Sequence, residues 1–296
     1  MKSTFKLFLI SAAASFAGVV ISERIRSAFA WRRMQSAAGP GTALITGASA
    51  GIGSAFAREL ASEGYDLVLV ARRESRLRAL AEEIALQHPV SVEVLPADLD
   101  NPEDVERLER RINELPDLSL LVNNAGFGTG RSFFEADVEP ELRMVNVHVV
   151  APMRLMHAAL PGMIARGYGA VINVSSLNAF VPAPGNATYG ATKSFLNAFS
   201  EALQGEVWGT GVRVQALCPG FTVTEMHDAA QFDRTRIPSF LWMQPEPVVA
   251  ASLRGLRANQ TVVIPGLINK LMFGLITFLP FEIARPVASV ARRFMP

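Results

Sequence analysis

Tyr189 and Lys193 are the two residues whose types and spacing best suit proton transfer. They lie four positions apart, so on a helix their side chains would share one face and the ammonium could act on the phenol. A free tyrosine has a pKa of about 10, which is too high for acid–base chemistry at neutral pH. One lysine charge about 5 Å away, at an effective dielectric of about 20, contributes roughly 3 kcal/mol. We therefore expect Lys193 to lower the pKa of Tyr189 enough for proton exchange.

A serine thirteen residues before the tyrosine distinguishes this pair from a chance pair on a surface helix. Ser176 ends the segment 170–176, whose apolar and β-branched residues predict a parallel strand buried on both faces. Ligands of α/β folds bind beyond the carboxyl ends of such strands. Strand, loop and helix would then bring Ser176, Tyr189 and Lys193 together.

Composition restricts the class of protein. The chain has 296 residues, of which 50% are hydrophobic and 19% are charged, which fits one large α/β domain with additional segments. A net charge of +1 gives no preference for a polyanion, so we predict no binding of nucleic acid. The single cysteine, Cys218, and four scattered histidines predict neither a disulfide framework nor a metal site.

A glycine-rich turn follows the first predicted strand. The strand, 42–46, leads into Gly47, Gly51 and Gly53, and a helical pattern begins at Ser54. Glycines at such a turn let backbone amides and the positive end of the helix approach a pyrophosphate. The position between strand and helix predicts a dinucleotide site.

The end of the second predicted strand, 66–70, indicates which dinucleotide. An Asp or Glu at this place would bind the ribose 2′-hydroxyl of NAD. Arg72 and Arg73 stand there instead, and guanidinium groups form strong hydrogen bonds with a 2′-phosphate. We therefore predict NADP(H), the alternative being that both arginines only begin a solvated helix.

Other polar residues end or follow the remaining predicted strands. Asp98 follows the third, 90–95, and the tetrapeptide 123–126 follows the fourth, 118–122. Asn146 lies within the apolar helical pattern 144–150, where a polar amide needs a reason. The sixth and last predicted strands are 212–217 and 261–264. Between them, segment 221–247 combines aromatic residues with weak periodicity, which predicts a lid or substrate loop.

The two ends of the chain differ from the middle. Within 1–35, an uncharged run at 7–21 lies between basic residues, with more of them after the run than before it. We predict an uncleaved N-terminal membrane anchor on the cytoplasmic face, the alternatives being a helix that packs on the body or a cleaved export signal. For the apolar and basic tail, 266–296, we expect a membrane surface, a cover for the substrate cleft, or a homodimer contact.

Taken together, these motifs resemble the short-chain dehydrogenase/reductase family in its NADP-preferring short form. The motifs occur in the family's order and spacing: Thr46-Gly47-x-x-x-Gly51-x-Gly53, Asn123-Asn124-Ala125-Gly126, Asn146, Ser176, Tyr189-x-x-x-Lys193 and Pro219-Gly220. The resemblance spans about 41–265. It implies a doubly wound parallel sheet (Rossmann) in one α/β domain of about seven strands with helices on both faces, and we place this domain at 40–265.

The resemblance also implies roles for individual residues. Tyr189 would be the general acid/base, Lys193 would lower its pKa and hold the nicotinamide ribose, Ser176 would orient the carbonyl, and Asn146 would keep a relay water at a helix kink. Ser175 would take no part. The cofactor contacts would come from the glycine-rich turn and from the ends of the strands: Gly47, Ser49, Gly51, Ile52, Gly53, Arg72, Arg73, Asp98, Asn124, Gly126, Tyr189, Lys193, Pro219, Gly220, Thr222 and Thr224.

From the sequence we therefore expect an NADP(H)-dependent oxidoreductase that transfers a hydride between nicotinamide and a carbonyl or secondary alcohol. The apolar predicted lid and the two membrane-suited ends favour a lipophilic small-molecule substrate. The alternative is a membrane-bound NADP-sensing or scaffold protein that keeps the fold without turnover.

Overall fold

One parallel sheet of seven strands dominates the computed structural model, which describes residues 40–135, 137–181, 184–225 and 237–278. The strands are ordered β3-β2-β1-β4-β5-β6-β7 across the sheet, and every neighbouring pair is parallel. Their bounds are β1 Thr42–Thr46, β2 Asp66–Ala71, β3 Val92–Pro96, β4 Leu118–Asn123, β5 Gly169–Val174, β6 Val212–Leu217 and β7 Val262–Val263.

Helices connect the strands. The α-helices of the described residues are α1 Gly51–Ser62, α2 Glu74–Gln87, α3 Pro102–Asn113, α4 Val138–Val145, α5 Ala151–Arg166, α6 Ala187–Glu206, α7 Pro245–Arg257 and α8 Leu267–Phe278. A π-helical turn, Asn146–Val150, joins α4 to α5 without interruption, and a short 3₁₀ turn, Leu177–Ala179, follows β5.

Alternation along the strands divides the core into two layers. Ala43 and Ile45 pack with α1, α2 and α7 on one face of the sheet, whereas Leu44 between them packs with α3 and α5 on the other. Both faces of the central strands are therefore covered, which explains why their sequences are continuously apolar. The architecture is the doubly wound Rossmann-type fold that the sequence predicts.

The order of the strands creates a crevice at the carboxyl ends of β1 and β4. The chain moves outward from β1 through β2 to β3, and then returns to β4 on the other side of β1. The loops after β1 and β4 consequently diverge, and ligands bind at such switch points. Both the glycine-rich turn and the segment after Asn123 lie at this crevice.

The boundaries of some elements differ from the predicted ones. β3 begins at Val92 rather than Val90, because Val90 donates its amide to the His88 carbonyl in a turn and pairing with β2 starts at Leu67 and Val92. α1 begins at Gly51 rather than Ser54, so the helix includes two glycines that the sequence analysis placed in the turn.

Several sequence predictions lie outside the described residues. These are the N-terminal segment 1–35, residues 226–236 of the predicted lid, and the tail beyond 278. Among the described residues, no helix has both the length and the apolar character that spanning a bilayer requires.

Candidate active site

The serine and tyrosine predicted for catalysis meet beyond the end of β5. Ser176 precedes the 3₁₀ turn, and its hydroxyl accepts a hydrogen bond from the Asn178 amide at 3.1 Å. Tyr189 lies in the first turn of α6 and is half-buried, and the Ser176 side chain is near enough to its phenol to lower the pKa of that group. The short segment between β5 and α6 thus brings together two residues that are thirteen positions apart.

Lys193 lies one turn farther along α6 and is almost fully buried. Only 4% of the residue is exposed, and its Nζ donates to the Val174 carbonyl at 2.8 Å. The same atom is 5.6 Å from the centre of the Tyr189 ring. Burial lowers the pKa of Lys193 to about 8, because desolvation penalises the charged form.

The pKa of Tyr189 differs from the prediction. Burial raises the pKa of this phenol above its ordinary value of 10.0, and the neighbouring Ser176 side chain only partly opposes that shift. The expectation that the pKa of Tyr189 lies below its ordinary value is wrong, because desolvation of the phenol dominates. The phenol is therefore protonated at neutral pH and suited to donate a proton.

Ser175 has a structural position. Its hydroxyl is buried and donates to the Lys193 carbonyl at 2.9 Å, while its amide donates to the Leu217 carbonyl of β6. These bonds attach α6 to the ends of β5 and β6. The contacts agree with the prediction that Ser176, not Ser175, faces the reacting groups.

Asn146 lies at the helix kink, and its role in keeping a relay water there stays a prediction. Asn146 begins the π-helical turn, at the kink that the sequence predicts, but its amide donates to the Asp100 carboxylate at 2.9 Å. The residue next to Tyr189 is instead His148, two positions later, whose ring centre is 5.7 Å from the tyrosine ring. The sequence analysis did not identify His148 as a site residue. The signal for it was a histidine within the apolar helical pattern 144–150.

The glycine-rich turn packs against the loop after β4. Gly47 and Gly51 have positive φ angles of 66° and 57°, which favour glycine. A Cβ on Gly53 would lie 2.3 Å from the Gly47 carbonyl oxygen, so only glycine permits this close packing. Asn124 donates its side-chain amide to the carbonyls of Thr46 and Gly47 at 2.9 and 3.2 Å. Asn124 therefore holds the turn in shape, and its contact with the cofactor stays a prediction.

The N-terminus of α1 fits a pyrophosphate. Ala50 precedes the helix and offers no side-chain acceptor to its first amides. These amides, with the positive end of the helix dipole, suit an anion. Ile52 faces the core on the same turn, and Gly126 lies where any side chain would collide with the His148 ring. Backbone atoms rather than side chains therefore line the part of the crevice that would face a dinucleotide.

Three arginines lie at the end of β2 and the start of α2, where a 2′-phosphate would be bound. Arg73 donates to the Ser49 hydroxyl and, at 2.7 Å, to Glu225, which also pairs with Arg76. These two guanidinium groups lower the pKa of Glu225. Arg72 is more exposed, and its Nη1 is 3.9 Å from the Asp98 carboxylate. Glu225 is a partner that the sequence analysis did not anticipate.

Residues after β6 close the other side of the crevice. The Pro219 carbonyl accepts the Leu177 amide at 2.9 Å, and the Thr222 hydroxyl donates to the Gly220 carbonyl. The methyl group of Thr224 packs against Gly51 in the glycine-rich turn. Farther along the chain, Phe273 of α8 packs edge-on against Phe180, with ring centres 4.6 Å apart. The described part of the tail therefore lies beside the candidate site.

Within the described ranges there is no cluster of three histidine, cysteine or acidic residues that could hold a metal ion. Cys218, the single cysteine, is buried under α6, and burial raises the pKa of its thiol to about 12. Lys193 and His148 are the titratable groups seen against the Tyr189 ring, whereas the Cys218 thiol donates to Asn197.

Comparisons with known proteins agree with this geometry. A family model described as short chain dehydrogenase matches residues 41–234. A solved structure, a short-chain dehydrogenase from Sphingobium yanoikuyae in complex with NADPH, is 36% identical with a TM-score of 0.74. The match covers 81% of this chain and 97% of that one.

Two curated relatives differ in what their names state. Inactive hydroxysteroid dehydrogenase-like protein 1 of Homo sapiens is 34% identical over 211 residues, which are 71% of this chain and 63% of that protein. Very-long-chain 3-oxoacyl-CoA reductase of Anas platyrhynchos is 32% identical over 242 residues, covering 78% and 75% of the two chains. The aligned part thus spans less than two thirds of the first relative's length.

We predict that Gly53→Ala destabilises the turn and weakens dinucleotide binding. The added methyl would collide with the Gly47 carbonyl, and displacing that backbone costs about 1–3 kcal/mol of unfolding free energy. Denaturant unfolding and NADPH titration measure the two effects. Gly205→Ala in α6 is the matched control, because open space surrounds that position and alanine favours a helix. An unchanged midpoint and affinity in Gly53→Ala would refute the close-packing argument.

Proposed function

The chain belongs to the short-chain dehydrogenase/reductase family, and from this premise we propose that it is an NADP(H)-dependent oxidoreductase. Its reaction would transfer a hydride between nicotinamide and a carbonyl or secondary alcohol. One observation supports this most directly: the Tyr189 phenol lies near Ser176, and the Nζ atom of the buried Lys193, one helical turn away, is 5.6 Å from the centre of its ring.

Each of the three residues has a separate task in the proposed reaction. The cofactor, when bound, supplies or accepts the hydride. Ser176 orients the substrate oxygen by a hydrogen bond, and Tyr189 gives that oxygen a proton as negative charge develops on it. Lys193 places a positive charge next to the phenol, so that the phenolate formed by proton loss is stabilised.

The acid–base state of the phenol favours reduction of a carbonyl. Because burial raises the pKa of Tyr189, the protonated form that donates is the form present at neutral pH. Oxidation of an alcohol would need the phenolate, which burial disfavours.

The arginines after β2 support a preference for NADP(H). Arg72 is largely exposed to solvent, and Arg73 already lies against Ser49 of the glycine-rich turn. A 2′-phosphate between these guanidinium groups would form charge-assisted hydrogen bonds that the ribose hydroxyl of NAD does not offer.

We propose a lipophilic substrate of low polarity. Leu267, Ile268 and Leu271 are exposed on α8. The same helix contacts Phe180 near the site through Phe273. The related reductase is named for very-long-chain 3-oxoacyl-CoA, in which the long acyl chain that bears the carbonyl is lipophilic. The same apolar surface suits a membrane surface or a homodimer, and we propose that the protein works at the cytoplasmic face of a membrane.

The alternative is a protein that binds NADP(H) without turnover. A relative whose name contains the word inactive is the observation in its favour. The presence of Ser176, Tyr189 and Lys193 at one site argues for turnover in this chain, because simple binding needs no proton donor beside a buried ammonium.

We predict that Tyr189→Phe abolishes carbonyl-dependent oxidation of NADPH. The ring keeps its packing, but the proton donor is lost, which should lower kcat by at least about a hundredfold. The affinity for NADPH should stay within about threefold, since phenylalanine leaves the contacts that bind the cofactor in place. A panel of ketones and aldehydes graded by chain length supplies the assay. Turnover equal to that of the unmodified chain would reject the mechanism, and absence of turnover in both would favour the alternative.

We predict that reductase activity falls as the pH rises through about 8. Lys193 is charged below its pKa of about 8 and neutral above it, so stabilisation of the phenolate is lost on the alkaline side. The pKa of Cys218 is about 12 and that of His148 is far below 6.5, so neither group titrates in this range. A profile of kcat/KM against pH measures the inflection, and Lys193→Met should remove it. A flat profile from about pH 7 to 9 would contradict the role of Lys193.

We predict that Glu225→Gln strengthens binding of NADPH by about three- to tenfold. The carboxylate competes with a 2′-phosphate for Arg73 and Arg76, and removing its charge frees both guanidinium groups. The affinity for NADH should not change, and calorimetric titration with both cofactors provides the comparison. The control is Glu83→Gln, which removes a similarly exposed carboxylate paired with Arg58. Weaker NADPH binding, or an equal change for NADH, would overturn this assignment.

A further inference from the structure

His148 occupies a position next to Tyr189 that no role described so far explains. Its side chain is fully buried in the π-helical turn between α4 and α5. The ring packs edge-on against both Phe127 and Tyr189, with ring centres 5.8 and 5.7 Å apart. It therefore touches the loop after β4 on one side and the proposed proton donor on the other.

Both ring nitrogens of His148 are hydrogen-bonded. The Nε2 atom accepts the backbone amide of Phe127 at 3.0 Å, and Nδ1 is 3.0 Å from the Thr192 hydroxyl oxygen. Thr192 donates its own proton to the Tyr189 carbonyl at 2.9 Å. A chain of hydrogen bonds thus runs from the loop after β4, through the imidazole and a threonine, to the backbone of Tyr189.

The balance of donors and acceptors fixes the tautomer of the imidazole. Since Nε2 accepts from an amide, it has no proton, and Nδ1 must carry the proton of the neutral ring. The Thr192 hydrogen is used toward Tyr189, so its oxygen is free to accept from Nδ1–H. Burial and the nearby Lys193 charge hold the pKa of His148 well below 6.5, which keeps this neutral form.

We propose that His148, through Thr192, is a positioning residue that fixes the depth and rotation of Tyr189 relative to Ser176. This inference rests on the proposed reductase function for its consequence in turnover. The imidazole does not exchange protons with the substrate, because neither nitrogen is left to do so. It sets the location of the first turn of α6, and a small displacement of a proton donor costs a large part of the rate.

Two conservative substitutions should each remove a different one of the two hydrogen bonds of the imidazole. The amide of asparagine reaches about as far as Nδ1 of histidine, and the longer glutamine reaches about as far as Nε2. His148→Asn should keep the bond toward Thr192 and lose the one from Phe127, whereas His148→Gln should do the opposite.

The experiment compares kcat, KM for NADPH and melting temperature in both variants. We expect His148→Asn to keep kcat within about threefold and His148→Gln to lower it about tenfold or more, with KM for NADPH unchanged in both. Thr192→Val should match His148→Gln, and Thr192→Ser should match the unmodified chain. His157→Gln is the control, since His157 is exposed on the adjoining α5.

A merely structural role gives a different result. In that case kcat would follow the loss of melting temperature, and the asparagine and glutamine variants would not differ in the expected order. Equal kcat values, or a higher kcat for His148→Gln, would overturn the proposal.

A second measurement does not depend on turnover. Nitrogen-15 spectra of the imidazole groups, with His148→Asn used to assign the signal, should show His148 as the neutral Nδ1–H tautomer at about pH 7. An Nε2–H tautomer or a charged ring would overturn the hydrogen-bond chain. Should the unmodified chain lack turnover, the proposed function fails while these spectra still decide the arrangement of His148.

Discussion

A buried ammonium group at the end of β5 is the constraint on which the site depends. Lys193 is 96% removed from solvent and is compensated by one backbone carbonyl, that of Val174, at 2.8 Å. Removing a charge from water without partners costs several kcal/mol, so the helix that bears Lys193 must stay against the strand that supplies the acceptor. Ser175 secures the same junction by donating to the Lys193 carbonyl. Because α6 is fixed in this way, the phenol one turn earlier meets Ser176.

The same burial determines the chemistry. Desolvation lowers the pKa of Lys193 and raises that of Tyr189, so two groups with similar proton affinities in water become different, and the phenol holds its proton more tightly than the ammonium does. At neutral pH the pair consists of an ammonium and a neutral phenol, which is the arrangement that a carbonyl reductase requires. The crevice beside the pair is lined by backbone at Gly47, Gly51 and Gly126, where side chains would collide with neighbouring residues of the protein.

Much of this could be predicted from the sequence because the relevant patterns are local. Continuous apolar strands ending in polar residues located β1 and β6 at their observed bounds and β5 to within two residues, and the glycine spacing located the turn before α1. The pairing of Ser176 with Tyr189 could be predicted because a strand, a loop and a helix that follow one another in the chain bring the two residues together. Each of these inferences needs only neighbours in the chain.

The features that could not be predicted depend on distant contacts or on burial. The π-helical turn changes which side chains face α6, so the contact of His148 with Tyr189 could not be inferred from α-helical spacing. Glu225 reaches Arg73 across 152 residues, a contact that no local pattern encodes. The direction of the Tyr189 shift was wrong because a sequence gives the charges around a phenol but not how far water is excluded.

Transfer of a labelled hydride is the most direct test of the central claim. The chain would be given NADPH carrying deuterium at nicotinamide C4, in each of the two stereochemical forms, together with a lipophilic ketone. The account predicts deuterium on the carbinol carbon of the product alcohol for one of the two forms, and no product when the phenol at position 189 is absent. Product alcohol free of deuterium with both forms, or no alcohol from any ketone of graded chain length, would contradict it.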